Sequence, residues 1–253
     1  MNDGPARLSV DEFLGGRISL SQPRKGYRAG IDPVLLAAAV PARTGQTVLD
    51  LGCGAGAAAL CLAARVPGLD LAGLELQPFY ADLARRNAKR NDIAMEVVTG
   101  DLAEMPQVLK QRRFDHVVAN PPYLDRAAGT TAHDAGRESA LAGPTPLHDW
   151  MCAAARRTLP GGHVSVIQRA ERLPDLMAAV SAAGLGSFEI LPVLARRGRA
   201  ARLVLLRTRK GGRAAPRLLD AWVLHDGETH DGDRDDYTAQ TTAILRDGAA
   251  LHF

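Results

Sequence analysis

Short apolar runs of strand length recur along this chain: TVLDL at 47–51, DLAGLE at 70–75, MEVVT at 95–99, DHVVA at 115–119 and HVSVI at 163–167. Between them, 56–65, 78–91 and 147–158 carry apolar residues at helical spacing. Strands that are apolar on both parities must be covered on both faces, and a helix between two of them returns the chain to begin a parallel neighbour. That alternation restricts the chain to an open α/β sheet layered by helices. A helix at 173–183 then precedes strands near 187–193 and 201–207, with residues 196–199 as the turn between them. Such a pair predicts an antiparallel hairpin at the sheet edge. The expected fold is therefore α/β, a sheet of seven strands, mostly parallel with an antiparallel edge hairpin. Ahead of the sheet, IDPVLLAAAV at 31–40 reads as a helix with Asp32 as N-cap, Pro33 in the first helical position and Pro41 closing it. No internal repeat is present. The chain divides into an N-terminal segment and helix packed on the core (1–46), the core itself (47–210) and a C-terminal tail (211–253).

The 253 residues suffice for one such domain with a short extension, and 46% hydrophobic with 23% charged residues is ordinary for a soluble globular chain. No apolar stretch approaches the roughly 20 residues of a membrane span. MNDGPARLSV lacks the basic start and apolar centre of a signal peptide. Three cysteines, Cys53, Cys61 and Cys152, form no CxxC pair, which predicts a reducing, cytoplasmic setting and no thiolate zinc site. Net charge is only +3 but is segregated. Residues 196–217 hold eight Arg and one Lys without an acid, and a strongly acidic stretch follows. Such asymmetry marks an anionic partner such as nucleic acid, or a solvated edge. In DGDRDD, Asp231, Asp233 and Asp235 imitate the start of a calcium loop. Asp236 stands where glycine is required and Thr242 where a bidentate carboxylate is required, so no metal is expected. His225 and His230 have no ligand spacing either.

In open α/β sheets ligands bind beyond the C-terminal ends of the strands. After the first strand comes LDLGCGAGAAAL, in which Gly52, Gly54 and Gly56 permit a tight turn and close approach of backbone to a ligand. With Ala57 the spacing also satisfies the dinucleotide pattern, so the glycines alone do not choose between NAD and S-adenosyl-L-methionine. The acids favour the second. A carboxylate at Asp50 would repel a pyrophosphate but suits an ammonium and a sulfonium. Glu75 ends the second strand, where an acid accepts hydrogen bonds from ribose hydroxyls. Asp101 follows the third strand, within reach of an adenine amine. Leu76 and Leu102, one residue beyond each of these acids, are the apolar members of the expected cofactor wall. Cys53, inside the loop, reads as packing.

The fourth strand ends in Asn120-Pro121-Pro122-Tyr123. An amine conjugated to a ring is a poor nucleophile because its lone pair is delocalised. It needs its two N–H groups held by acceptors that favour a tetrahedral nitrogen, with the lone pair aimed at the methyl group. The Asn120 side-chain oxygen is one acceptor and the Pro121 carbonyl, stiffened by Pro122, the other. Tyr123 can stack on a planar group. Catalysis would rest on positioning and electrostatic preorganisation, without metal or covalent step.

DLGCGAG, GLELQ, TGD and NPPY, in this order, resemble the seven-strand, Rossmann-like class I S-adenosylmethionine-dependent amino methyltransferases. Within that class the flanks are similar to the bacterial adenine-N6 methyltransferases of valine tRNA. The similarity lies in SQPRKGYRAGIDPVLLAAAV with its pattern on Tyr27, Asp32, Leu35 and Leu36, in GRESAL at 136–141, in LPGGHVSVIQ, and in the ending RLVLLRTRKGG…YTAQTTAIL. The resemblance implies methyl transfer to adenine-N6 of tRNA beside the anticodon, with Asn120 and Pro121 on the amine and Tyr123 on the ring. It implies that Tyr27 and Arg28 help to close the cofactor site, where Asn120 also lies. Arg196, Arg197, Arg199 and Arg202 become a phosphate-contacting rim. Residues 124–145 become a candidate lid over the base. The expected partner is tRNA, and the expected state a monomer or weak homodimer. Guanine-N2 of ribosomal RNA and a protein glutamine amide are alternative acceptors. A non-catalytic RNA-binding module and an NAD-dependent oxidoreductase are alternatives of other classes.

Overall fold

A computed structural model of the chain describes residues 7–123, 145–229 and 235–253. The parallel core runs β3 (Thr47–Leu51), α2 (Ala57–Arg65), β4 (Asp70–Glu75), α3 (Pro78–Arg90), β5 (Met95–Thr99), a short α4 (Gln107–Lys110), β6 (Phe114–Ala119), α5 (Leu147–Arg157) and β7 (Thr158–Arg169). It continues with α6 (Leu173–Ala182), β8 (Leu185–Leu194) and β9 (Ala201–Lys210). The strand order is β8-β9-β7-β6-β3-β4-β5, with β9 antiparallel to both β7 and β8. The chain thus forms the expected sheet and edge hairpin. Two short strands, β10 (Arg217–Leu218) and β11 (Trp222–Val223), extend it along β8.

Both faces of the sheet are buried because successive strand residues are apolar. Val48 and Val118 face a layer that includes α1 (Asp32–Ala39), α2 and α7 (Ala239–Asp247). Their neighbours Leu49, Val117 and Ala119 face Trp150, Met151 and Ala154 of α5 and Leu176 and Val180 of α6. Reversal of the strand order at β3 and β6 opens the crevice in which open sheets hold ligands. Asp32 is the first residue of α1, with Ile31 at the N-cap and no side-chain cap hydrogen bond, so the capping role expected for Asp32 is not the one it takes. Among the described residues no helix is long and apolar enough to cross a membrane.

A β-hairpin of β1 (Leu8–Phe13) and β2 (Ile18–Pro23), which the sequence pattern did not announce, precedes α1. An edge strand carries unpaired N–H and C=O groups that need partners. Here α3 supplies them through two asparagines one helical turn apart. Asn87 accepts from the Ser21 N–H at 2.7 Å and donates to the Ser21 carbonyl at 3.1 Å. Asn91 does the same for Ser19, at 2.8 and 2.9 Å. Asn87 is fully buried and also donates to the Ala55 carbonyl, so one amide joins the hairpin, α3 and the glycine loop. Asn87→Ala leaves three buried backbone groups without their partners. It should lower stability in urea unfolding by about 2–4 kcal/mol and expose the hairpin to limited proteolysis. A wild-type unfolding curve would contradict this account.

Candidate active site

At the C-terminal edge of the sheet the loops after β3, β4, β5 and β6 surround a cavity of about 590 Å³. It is lined by Tyr27, Arg28, Gly52, Gly54, Glu75, Leu76, Asp101, Leu102, Asn120, Pro121, Pro122 and Tyr123, all anticipated from the sequence. Asp32, Gln77, Tyr80, Thr145 and Trp150 also line it and were not assigned there in advance.

Gly52 has φ of +66°, and a Cβ there would run into the Trp150 ring, so close packing as well as turn geometry requires glycine. Glu75 holds the loop from the next strand. Its Oε2 accepts from the Gly54 N–H at 2.9 Å and its Oε1 from the Gln77 N–H at 2.8 Å. Burial pushes the Glu75 carboxyl up, and these backbone hydrogen bonds pull it back down. Leu76 directs a third backbone N–H at the carboxylate, whose two oxygens together still keep acceptor capacity for a ligand hydroxyl. Asp101 accepts from the Ala103 N–H at 2.8 Å, which fixes its turn at the wall. Leu76 is 46% exposed, an apolar surface left open beside two acids.

Two residues expected at the wall lie elsewhere. Asp50 is buried behind the glycine loop, where its Oδ2 accepts from the Ala59 N–H of α2 at 3.3 Å. It therefore acts on the cavity only through its field. Burial, reinforced by Glu75, pushes its carboxyl up to about 7. Gly56 is the N-cap of α2 with φ of +89° and packs against Leu60 and Ala84, so it shapes the loop without touching the cavity. Cys53 is buried, with its sulfur packed where a side chain on Gly73 would be, and burial pushes its thiol up, as suits a packing residue.

The Asn120 side-chain oxygen is buried and has no hydrogen-bond partner among the described residues. Its amide nitrogen lies 3.5 Å from the Tyr27 hydroxyl. A buried acceptor without a donor costs about 1–3 kcal/mol, and this one, on a residue that lines the cavity, has acceptor capacity to offer there. The neighbouring Pro121 carbonyl accepts from Gln168 Nε2 at 3.3 Å. Gln168 is fully buried near the end of β7, and a polar residue closing an apolar strand was the available signal for it. Tyr123 donates its hydroxyl to Asp32. Burial raises the Asp32 carboxyl, while the Tyr123 hydrogen bond and the Arg169 charge lower it.

β8 runs in the direction of β7 because β9 is antiparallel to both, so the turn at 195–200 opens on the same edge as the cavity. Three strand spacings, roughly 15 Å across the sheet, separate β8 from β6, and the ladder register sets the turn several residues beyond the level of Asn120. Arg197, Arg199 and Arg202 are exposed there. Arg196 is not. It is buried, forms an ion pair with Asp236 and donates to the Asp226 carbonyl. Its place in the expected RNA-contacting set is therefore corrected to a tie between the turn and the tail. Arg28 is partly engaged, its guanidinium bridging to Asp11 at 2.6 Å. Among the described residues no cluster of His, Cys, Asp or Glu could hold a metal. Of the candidate lid at 124–145, all but Thr145 lies outside the described residues, as do GRESAL, His230, Asp231 and Asp233.

The sequence pattern of the methyltransferase small domain family matches residues 29–140. A tRNA1(Val) (adenine(37)-N6)-methyltransferase from Dickeya chrysanthemi is 31% identical over 209 residues, covering 81% of each chain. Its counterpart from Porphyromonas gingivalis is 30% identical over 184 residues, covering 67% of this chain and 69% of the relative. Among solved structures, a protein from Agrobacterium tumefaciens described as a predicted O-methyltransferase superposes with a TM-score of 0.69 at 26% identity, covering 87% of this chain and 98% of that one. The 16S rRNA N2 G1207 methyltransferase of T. thermophilus, solved with AdoMet and guanosine, shares the fold with a TM-score of 0.56 at 21% identity, covering 82% and 51%.

The Asp50 carboxyl yields a sign-definite pH effect. Its folded value of about 7 lies above the unfolded 3.8, so its contribution to stability is complete below about pH 4 and is lost as pH rises through 7. Asp50→Asn keeps the acceptor for Ala59 and removes the titration. Its melting temperature relative to wild type should therefore climb between pH 4 and 7 and level off above. Parallel profiles would show that Asp50 does not titrate in this window.

Proposed function

The chain belongs to the tRNA1(Val) (adenine(37)-N6)-methyltransferase family, and from that membership we infer that it is an S-adenosyl-L-methionine-dependent enzyme methylating adenine-N6 of tRNA, at the position 37 that the relatives' name gives. The observation that carries the reading is the buried Asn120 oxygen, which has no donor among the described residues, beside the Pro121 carbonyl. Neutral acceptors of this kind suit an amine, which has N–H groups to be held. A hydroxyl acceptor would need a base to take its proton.

The cofactor fits the residues present. The free lone pairs of Glu75 suit ribose hydroxyls, Leu76 and Leu102 offer apolar walls to a purine, and Asp101 faces its amine. Tyr27 and Arg28 close this side, and Glu75 sets a carboxyl group beside the glycine loop. When bound, S-adenosyl-L-methionine supplies a methyl group activated on a sulfonium. The chain's own residues do the rest by positioning. Asn120 Oδ1 and the Pro121 carbonyl accept hydrogen bonds from the two amine N–H groups, Pro122 keeps the carbonyl from turning, and Tyr123 stacks on the ring; once the N–C bond has formed, the nitrogen sheds one proton to solvent. Gln168 leaves the Pro121 oxygen one lone pair for this purpose. An adenine in an anticodon loop is already largely single-stranded, so bringing it out costs little. Arg197, Arg199 and Arg202 take backbone phosphates at the same edge. A cytoplasmic location, a monomeric or weakly dimeric state, a reaction without metal, and the division at 46 and 210 belong to the same proposal.

The decisive experiment supplies labelled S-adenosyl-L-methionine with unmodified tRNA, ribosomal RNA and a release factor separately, then digests the labelled product. Label on N6 of adenine in tRNA is expected, and Asn120→Ala should lower kcat by about 10²–10³-fold with cofactor affinity within threefold. Label in guanine or protein, or NAD binding without cofactor binding, would overturn the reading. Replacing Arg197, Arg199 and Arg202 together by Ser should raise KM for tRNA about tenfold at moderate salt and flatten its salt dependence. Cofactor affinity should stay unchanged.

A further inference from the structure

The reading of Tyr123 concerns its ring face, and the structure shows what grips the rest of the side chain. Its hydroxyl donates to Asp32 Oδ2, a residue 91 positions earlier on the first turn of α1. The Arg169 guanidinium carbon lies 5.6 Å from the ring centroid. Asp32 and Tyr123 both line the cavity and Arg169 does not, so among the described residues the cation covers the ring from outside the cavity. The segment carrying Asp32 touches the acceptor corner at a second point, through the Tyr27 hydroxyl beside Asn120. Tyr27 is itself braced by Tyr80, whose hydroxyl donates to the Tyr27 carbonyl at 3.1 Å.

A tyrosine ring held only by its own two side-chain torsions can swing, and a base stacked on it swings with it. Displacements near 1 Å at the reacting nitrogen cost about 10²-fold in rate. A hydrogen bond to the far end of the ring removes that freedom. Resting on the reading that Tyr123 stacks on the acceptor, we propose that Asp32 is a positioning residue for methyl transfer, fixing the tilt of the Tyr123 ring while Arg169 closes its outer face. Asp32 thereby links the segment that covers the cofactor cavity to the surface that receives the base.

The test is a double-variant cycle on the full chain, run on whichever acceptor the wild type labels. Label in guanine or in a protein amide refutes the adenine reading and leaves the cycle to judge Asp32. Asp32→Ala should lower kcat about 20-fold with the cofactor Kd within threefold of wild type. Asp32→Asn, which keeps an acceptor oxygen, should stay within about threefold in kcat. Tyr123→Phe, which keeps the ring and loses only the hydroxyl, should reproduce the loss, and the Asp32→Ala/Tyr123→Phe pair should be no slower than the worse single variant. Multiplicative losses, an Asn variant as slow as the Ala variant, or an equal loss of cofactor affinity would each overturn the proposal. Should Asp32→Ala fail to fold, a Tyr123→Phe enzyme with wild-type kcat overturns it alone.

Discussion

The site depends first on one buried carboxylate. Glu75 ends β4 and takes the N–H of Gly54 on the loop after β3 and of Gln77 on the loop after β4. Two loops that would otherwise move separately become one floor. Burying a carboxylate carries a cost unless donors surround it, and here they are backbone groups pointing at the crevice. Asp50 lies close enough for its carboxyl to be raised by Glu75. A pair of acids under a glycine loop is a poor seat for a pyrophosphate, and because burial raises both carboxyls, a cationic ligand would draw them back toward their charged form.

The acceptor corner has the opposite character, being built from neutral groups. The chain leaving β6 carries Asn120, Pro121 and Tyr123 within four residues, but none of them is oriented by β6 alone. Gln168 comes from β7 to the Pro121 carbonyl, Tyr27 from the N-terminal segment to Asn120, and Asp32 from α1 to Tyr123. A reaction that proceeds by aligning a lone pair with a methyl group needs rigidity more than acid or base strength. The grips from outside the corner provide it. The N-terminal hairpin matters for the same reason. Asn87 and Asn91 fasten it to α3, and the segment that follows it crosses the cavity.

The parallel core and edge hairpin were legible because strand and helix periods alternate without interruption from residue 47 onward. The strands β1 and β2 were not, because they pair only with each other, outside the alternation of strand and helix, and β10 and β11 were not, because each has only two residues of ladder. Most of the cavity wall was legible too, since a residue that follows a parallel strand is placed by the sheet itself. Asp50 was misplaced because its acidity is visible in sequence while the side of the loop it occupies is not. Arg196 was misplaced because its pairing partner, Asp236, lies beyond another strand and a loop.

The sequence by itself determined the sheet, its binding edge, the glycine loop and the Asn-Pro-Pro-Tyr corner, because each follows from local periodicity or from chemistry carried by adjacent residues. Only the tertiary structure decided which acids face the cavity, which arginine is already paired, and which distant residues hold the corner still. Asp32 shows the division most clearly. Read locally it is a helix cap, but in the fold its carboxylate is claimed by a tyrosine 91 residues away. No local pattern encodes a contact whose partner the chain brings near only after the sheet has formed.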